Sequence, residues 1–292
     1  MYNFIMLLSA GIILGSSESQ AGFNENSPEY LKKVIAKTEK FKKIGDDFLV
    51  LDLYYPPGWT ADAEKLPAIV FFFGGGWKRG NKLLLKDQSR DLAARGMIAV
   101  CAQYRTQASH KTEPDVCLRD AKSAMRYVRG NASRLGIDAS KIAAGGSSAG
   151  GHLAAATAFC PGFNEPGDDL TVSCCPDALV LLNPVIDTGP NGYGYRRVNK
   201  YWHNFSPVHN ISANPPPVLF MVGDSDRVVP VAMAKKFKDE LEKHGGSCEL
   251  HIYPGQKHGF YTKSKKNGYY AITINAIDEF LVKNNFLKPG KR

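Results

Sequence analysis

Residues 145–151 read Gly-Gly-Ser-Ser-Ala-Gly-Gly, and Ser148 has a glycine two positions before it and two after. A serine raised on a sharp strand-to-helix turn brings its flanking backbones together, so only small residues fit there. Ser147 fits less well, because Ala149 replaces one of its glycines, and Ser148 is the candidate nucleophile. A helix starting at Ala149 directs free N–H groups at developing negative charge. The stretch lacks the lysine of a phosphate-binding loop, and its glycines miss the dinucleotide G-x-G-x-x-G spacing.

Three further segments carry matching chemistry. Phe73-Gly74-Gly75-Gly76-Trp77 follows an apolar run, and consecutive glycines there leave bare N–H groups suited to an oxyanion. Gly75 and Gly76, with Ala149, are the expected donors. Gly223-Asp224-Ser225-Asp226 follows another apolar run and offers a carboxylate to orient an imidazole. Asp226 is preferred to Asp224, which directly follows the strand and suits turn hydrogen bonds. Of the seven histidines, only His258 lies in a Gly-flanked loop after the final strand. His251 alternates within that strand, His244 ends a helix and His152 sits one turn into the serine's helix, all positions that suit packing.

These segments need elements to hold them. Apolar runs predict strands at 47–55, 67–73, 97–104, 140–145, 178–183, 217–222 and 248–253. Helical spacing predicts helices at about 83–95, 114–135, 149–159, 231–244 and 268–284. Continuous apolar strands alternating with helices mean an α/β fold, a mostly parallel sheet covered on both faces. With no repeat or low-complexity linker, residues 22–292 are expected to form one domain, with the basic ends 32–43 and 287–292 peripheral.

G-x-S-x-G, G-x-x-D-x-x-V-P and H-G-F, in the chain order Ser–Asp–His, resemble an α/β-hydrolase over roughly residues 46–285. FGGGW is similar to the HGGGW oxyanion signature of the hormone-sensitive-lipase-like and related small esterases, with Phe73 standing where that branch usually has His. The resemblance implies Ser148 as nucleophile, His258 as base and acid, Asp226 as orienting carboxylate, and an oxyanion hole of Gly75, Gly76 and Ala149. It implies ester hydrolysis through an acyl-enzyme, with no metal or organic cofactor. A prolyl-oligopeptidase-like peptidase and a non-catalytic binding protein on the same fold are the alternatives. The first lacks chain length for a propeller, and the second usually loses a triad member.

Only 33 residues separate Asn183 from Pro217, too few for a large helical cap. That stretch holds Asp187, Asn191, Tyr193, Tyr195, Tyr201, Trp202 and Phe205, which suit either a sugar ring or a mini-core of the loop itself. Trp77 would wall the acyl side. With the likeness to carbohydrate acetylesterases, these residues set the expected substrate, a small ester or acetylated carbohydrate touching Trp77, Asp187, Tyr193 and Trp202.

Composition sets the outer limits. At 43% hydrophobic and 22% charged, the 292-residue chain is excluded from the disordered, collagen-like and multi-pass membrane classes. Its net charge of +9 comes with no nucleic-acid motif, and the charged face is expected to be solvated, with acidic polysaccharides as the functional counterpart. Residues 4–14 are apolar and too short to span a bilayer. They suit a signal peptide cut near Ala21, although no Lys or Arg precedes them, so the mature chain is expected outside the cytoplasm. Six cysteines follow that cut, and one or two disulfides are expected at most, with Cys160 to Cys174 or Cys175 the favoured bridge. No spacing of His and Cys matches a zinc site.

Overall fold

The computed structural model describes residues 28–290. The expected signal peptide, residues 1–21, lies outside them. Eight strands form one sheet: β1 (Ile35–Ile44), β2 (Asp47–Tyr55), β3 (Leu66–Phe72), β4 (Ile98–Ala102), β5 (Ile137–Ser147), β6 (Ala178–Leu182), β7 (Val218–Gly223) and β8 (Cys248–Tyr253). Their order is β1-β2-β4-β3-β5-β6-β7-β8. β1 and β2 pair antiparallel, as do β2 and β4, and every other pair is parallel.

Five longer helices cover the faces: α1 (Lys86–Ala94), α2 (Pro114–Gly130), α3 (Ala149–Phe159), α4 (Val231–Lys243) and α5 (Tyr269–Lys283). The period-2 alternation of a strand divides the core between two faces. Val70 and Phe72 of β3 join Leu118, Leu153 and Phe237, so α2, α3 and α4 lie on one side. Ile69 and Phe71 join Leu92, Ile277 and Phe280, which places α1 and α5 on the other.

The register brings the strand ends level. Phe72 pairs Gly146, Ser147 pairs Leu182, Leu182 pairs Met221, and Gly223 pairs Tyr253. The loops after β3, β5, β7 and β8 therefore open along one carboxyl edge, where open α/β sheets bind their ligands.

Residues 32–43, expected to be peripheral, lie at the sheet edge, where most of them build strand β1; its Lys42 ammonium donates to the buried Asp120 at 2.6 Å. One expectation is corrected. The favoured disulfide is absent, and all six cysteines are free. Cationic side chains of α2 hold the loop after α3 instead. Lys122 Nζ donates to the Cys160 and Gly162 carbonyls at 2.7 and 2.6 Å. Arg126 binds Asn164 and Asp168, and Arg129 binds the Ser173 and Cys175 carbonyls. The Cys174 thiol turns to the Thr157 carbonyl.

Candidate active site

Ser148 occupies the turn between β5 and α3 with φ 52° and ψ −120°, a strained conformation for a residue with a side chain. The glycines are steric necessities. A Cβ on Gly146 would stand 2.4 Å from the Gly150 carbonyl oxygen, and one on Gly150 would stand 2.1 Å from that of Phe72. Ser147 ends β5 fully buried, whereas Ser148 is partly exposed, which leaves Ser148 as the accessible hydroxyl.

Asp226 and His258 meet. The loop after β7 presents Asp226 Oδ2 to His258 Nδ1 at 2.7 Å, and Oδ1 accepts the N–H groups of Val228 and Val229 at 2.8 and 3.0 Å. Burial raises the Asp226 pKa, but the bonds from His258, Val229 and Val228 outweigh it and hold the carboxyl below its ordinary value. Asp224 instead accepts the N–H of Gly255 from the loop after β8 and the hydroxyl of its neighbour Ser225.

Asn183, at the end of β6, is a site residue the sequence did not flag. Its Oδ1 accepts the Gly259 N–H at 3.1 Å and its Nδ2 faces His258 Nε2 at 3.4 Å. With Nδ1–H donating to Asp226, the hydrogen-bond network assigns His258 the tautomer whose Nε2 carries a lone pair. Among the described residues Nε2 meets Asn183 and not Ser148. Serine and imidazole share the edge without a direct bond, as is common before substrate binds. The available signal was an asparagine directly after a core strand.

The glycine loop turns its carbonyls away. Tyr104 Oη donates to the Phe73 carbonyl at 2.7 Å, the Gly75 carbonyl accepts from Lys78 and Arg79, and the Trp77 carbonyl accepts from Gln107. Among the described residues no group accepts from the N–H of Gly75, Gly76 or Ala149. Gly75 has φ 134° and a Cβ there would meet the Arg79 carbonyl oxygen at 1.9 Å, so the loop tolerates no side chain at that position. Phe73 stacks on Tyr104 with centroids 3.9 Å apart.

The expected substrate contacts divide. Asp187 and Tyr193 line an open cleft with Pro184, Val185, Val229 and Met233, beside the serine turn and the Asp226 loop. Trp77 does not wall the acyl side from within that cleft. It is fully buried, edge-on to His152 at 5.0 Å and beside Phe205 at 5.8 Å. Trp202 packs against His209 and Tyr195 outside the cleft lining. The insert between Asn183 and Pro217 holds only short helical turns, at Tyr195–Val198, Trp202–Phe205 and Pro207–His209.

His152 belongs to this aromatic cluster. Its Nε2–H donates to the Phe205 carbonyl at 2.7 Å, and burial pushes its pKa down to about 4. The unfolded chain therefore takes up the proton first as pH falls. His152 destabilises the fold progressively from about pH 6.5 down to about 4, by about 3 kcal/mol in all, and has no effect above that window. Urea midpoints measured at pH 7 and pH 4.5 should fall further in wild type than in His152→Gln. Parallel falls would show that this histidine is already protonated in the folded state.

No cluster of His, Cys, Asp or Glu among the described residues could hold a metal ion, and no described helix is long and apolar enough to cross a membrane. Residues 51–173 match the BD-FAE family model, and residues 181–284 match the prolyl oligopeptidase family model. Esterase LipC of Mycobacterium tuberculosis is 30% identical over 226 residues, 68% of this chain and 54% of that protein. Isoprenylcysteine alpha-carbonyl methylesterase ICME of Arabidopsis thaliana is 30% identical over 231 residues, 71% and 53% of the two chains. The chain thus spans about half the length of these relatives. Among solved structures, the esterase Est2 of Thermogutta terrifontis superposes with a TM-score of 0.83 at 37% identity, covering 88% of this chain and 95% of that one. The same protein phosphorylated by paraoxon gives 0.82 at 38%, covering 87% and 96%.

Proposed function

Because this chain belongs to the α/β-hydrolase superfamily, on its esterase branch, we propose that it is a serine carboxylesterase that removes small acyl groups, chiefly acetyl, from carbohydrate. In this reading Ser148 Oγ attacks the ester carbonyl while His258 Nε2 takes its proton. Asp226 holds the imidazole in the required tautomer and stabilises its cation, and the N–H groups of Gly75, Gly76 and Ala149 receive the oxyanion. The protonated His258 then gives its proton to the leaving alcohol. Water activated by the same imidazole releases the acid from the acyl-enzyme.

The observation that carries this reading is the 2.7 Å contact of Asp226 with His258 on the sheet edge that also presents Ser148 and three unbonded N–H groups. The small-acyl choice draws on Est2 of Thermogutta terrifontis, whose structures include propionate-bound and butyrate-bound forms. For the carbohydrate alcohol, support comes from the exposed Tyr193 and half-buried Asp187 at the cleft. A 29% identical stretch of 182 residues in endo-1,4-beta-xylanase B of Butyrivibrio fibrisolvens adds to it.

The match of residues 181–284 to the prolyl oligopeptidase family favours a second reading, an amide-cleaving peptidase. Asp187 is the one carboxylate among the described cleft residues. It is already engaged by the Gly189 N–H at 2.7 Å and lies 3.8 Å from Lys236, which leaves no acidic pair for a free amine.

A p-nitrophenyl ester series separates these readings. Acetate and butyrate should turn over with kcat/KM at least about tenfold above octanoate, since a few misplaced methylenes in a fitted pocket cost that much or more. Acetylated xylan should release acetate, and dipeptidyl p-nitroanilides should stay intact. Preference for octanoate would overturn the small-acyl choice, and cleavage of the anilides would bring back the peptidase.

A further inference from the structure

The Phe73 side chain cannot hydrogen-bond, so the glycine loop that follows it must be held by other groups. Three of its carbonyls are tied by nearby segments, as described above: Phe73 by Tyr104, Gly75 by Lys78 and Arg79, and Trp77 by Gln107. The fourth tie comes from far along the chain. Arg197, on the insert between β6 and β7, donates from Nη1 to the Gly76 carbonyl at 2.7 Å.

That peptide needs holding. Gly76 has φ 65° and Trp77 has φ 58°, so two successive residues lie in the left-handed region, and the second is a tryptophan with no easy access to it. A flip of the Gly76–Trp77 peptide would relieve Trp77 and disturb the neighbouring Gly76 N–H, one of the unbonded donors. A guanidinium on the carbonyl oxygen opposes that flip with a charge-assisted bond. Its charge is only partly met. Nε lies 3.9 Å from the carboxylate of the exposed Glu113, and Nη2 is buried with no acceptor among the described residues. Tyr193 of the same insert closes on the loop as well, its hydroxyl 2.8 Å from where a Cβ of Gly76 would stand.

We propose that Arg197 is a positioning residue for the oxyanion loop. Its guanidinium fixes the Gly76–Trp77 peptide and sets an under-neutralised positive charge behind the donors, so it acts through Gly76 and not on the substrate. This inference rests on the reading of Ser148 as the nucleophile of an ester hydrolase.

The test compares Arg197→Ala and Arg197→Lys with wild type on p-nitrophenyl acetate. A trifluoromethyl ketone serves as the probe that forms a tetrahedral oxyanion on serine, and acetate serves as the product probe. Arg197→Ala should lower kcat by about 10- to 100-fold, somewhat less than the loss of a donor itself, with KM within about threefold. The inhibition constant of the ketone should rise by the factor by which kcat/KM falls, while that of acetate stays level. Arg197→Lys, which keeps a charged donor, should recover part of the loss.

Arg197→Ala with kcat within about twofold of wild type would overturn the proposal. So would equal weakening of ketone and acetate with no recovery in Arg197→Lys, the pattern of a general packing role. A wild-type enzyme indifferent to the ketone, or Ser148→Ala as active as wild type, would instead remove the underlying nucleophile assignment and this proposal with it.

Discussion

Ser148→Ala is expected to lower kcat on p-nitrophenyl acetate by at least about 10³, the scale on which loss of a covalent nucleophile acts. The residual rate would come from the three N–H groups, which still polarise a bound carbonyl. Folding should survive, because the Ser148 N–H and carbonyl make the turn's bonds. The former donates to the Leu182 carbonyl, and the latter accepts from His152 and Val185. Alanine changes none of these. A stoichiometric release of p-nitrophenol preceding steady turnover in wild type, absent in the variant, would identify the acyl-enzyme directly. Equal activity in both proteins would mean that another nucleophile is at work.

Asp226→Asn should cost nearly as much, about 10³ to 10⁴ in kcat, through a proton in the wrong place. Oδ1 of Asp226 already accepts from Val228 and Val229, and its side chain has no exposure to water. An asparagine there must keep its oxygen toward those N–H groups and turn its amide toward His258 Nδ1. That amide donates, so Nδ1 must accept, and the imidazole proton moves to Nε2. The atom that must take the serine proton then no longer has a lone pair, which is the mechanism by which the corresponding change disables a serine protease. Kinetics of Asp226→Asn beside His258→Ala test this. A loss under about tenfold in Asp226→Asn would mean that Asn183 alone suffices to set the tautomer.

Much of this was legible in the chain. Strand and helix positions followed from apolar runs and their period, because a doubly covered parallel sheet leaves its strands continuously apolar. The serine, the glycine loop, the aspartate and the histidine stood out because each follows such a run. What escaped notice depended on contacts between distant segments. β1 hid behind its lysines, since an edge strand needs only half a face buried. The disulfide expected at Cys160 depended on how the following loop folds, and α2 cations settled that in favour of carbonyl ties. Trp77 reads as a wall in sequence, yet the chain passes it beneath the loop to pack on His152. Asn183 offered only its place directly after a core strand, and Arg197 carries no local signal; one closes on His258 from 75 residues away and the other on Gly76 from 121.

The insert between β6 and β7 also bears on how such an enzyme can change over time. Asp187 and Tyr193, which shape the cleft, sit within ten residues of Arg197, which grips the glycine loop. Recombination that imports a foreign insert to widen the cleft would discard that grip in the same exchange. On the role proposed for Arg197, new substrate range is most accessible through point changes at Asn191, Tyr193 or Met233, which leave the Arg197 tether intact, and libraries built on whole-segment grafts would start from a weakened parent.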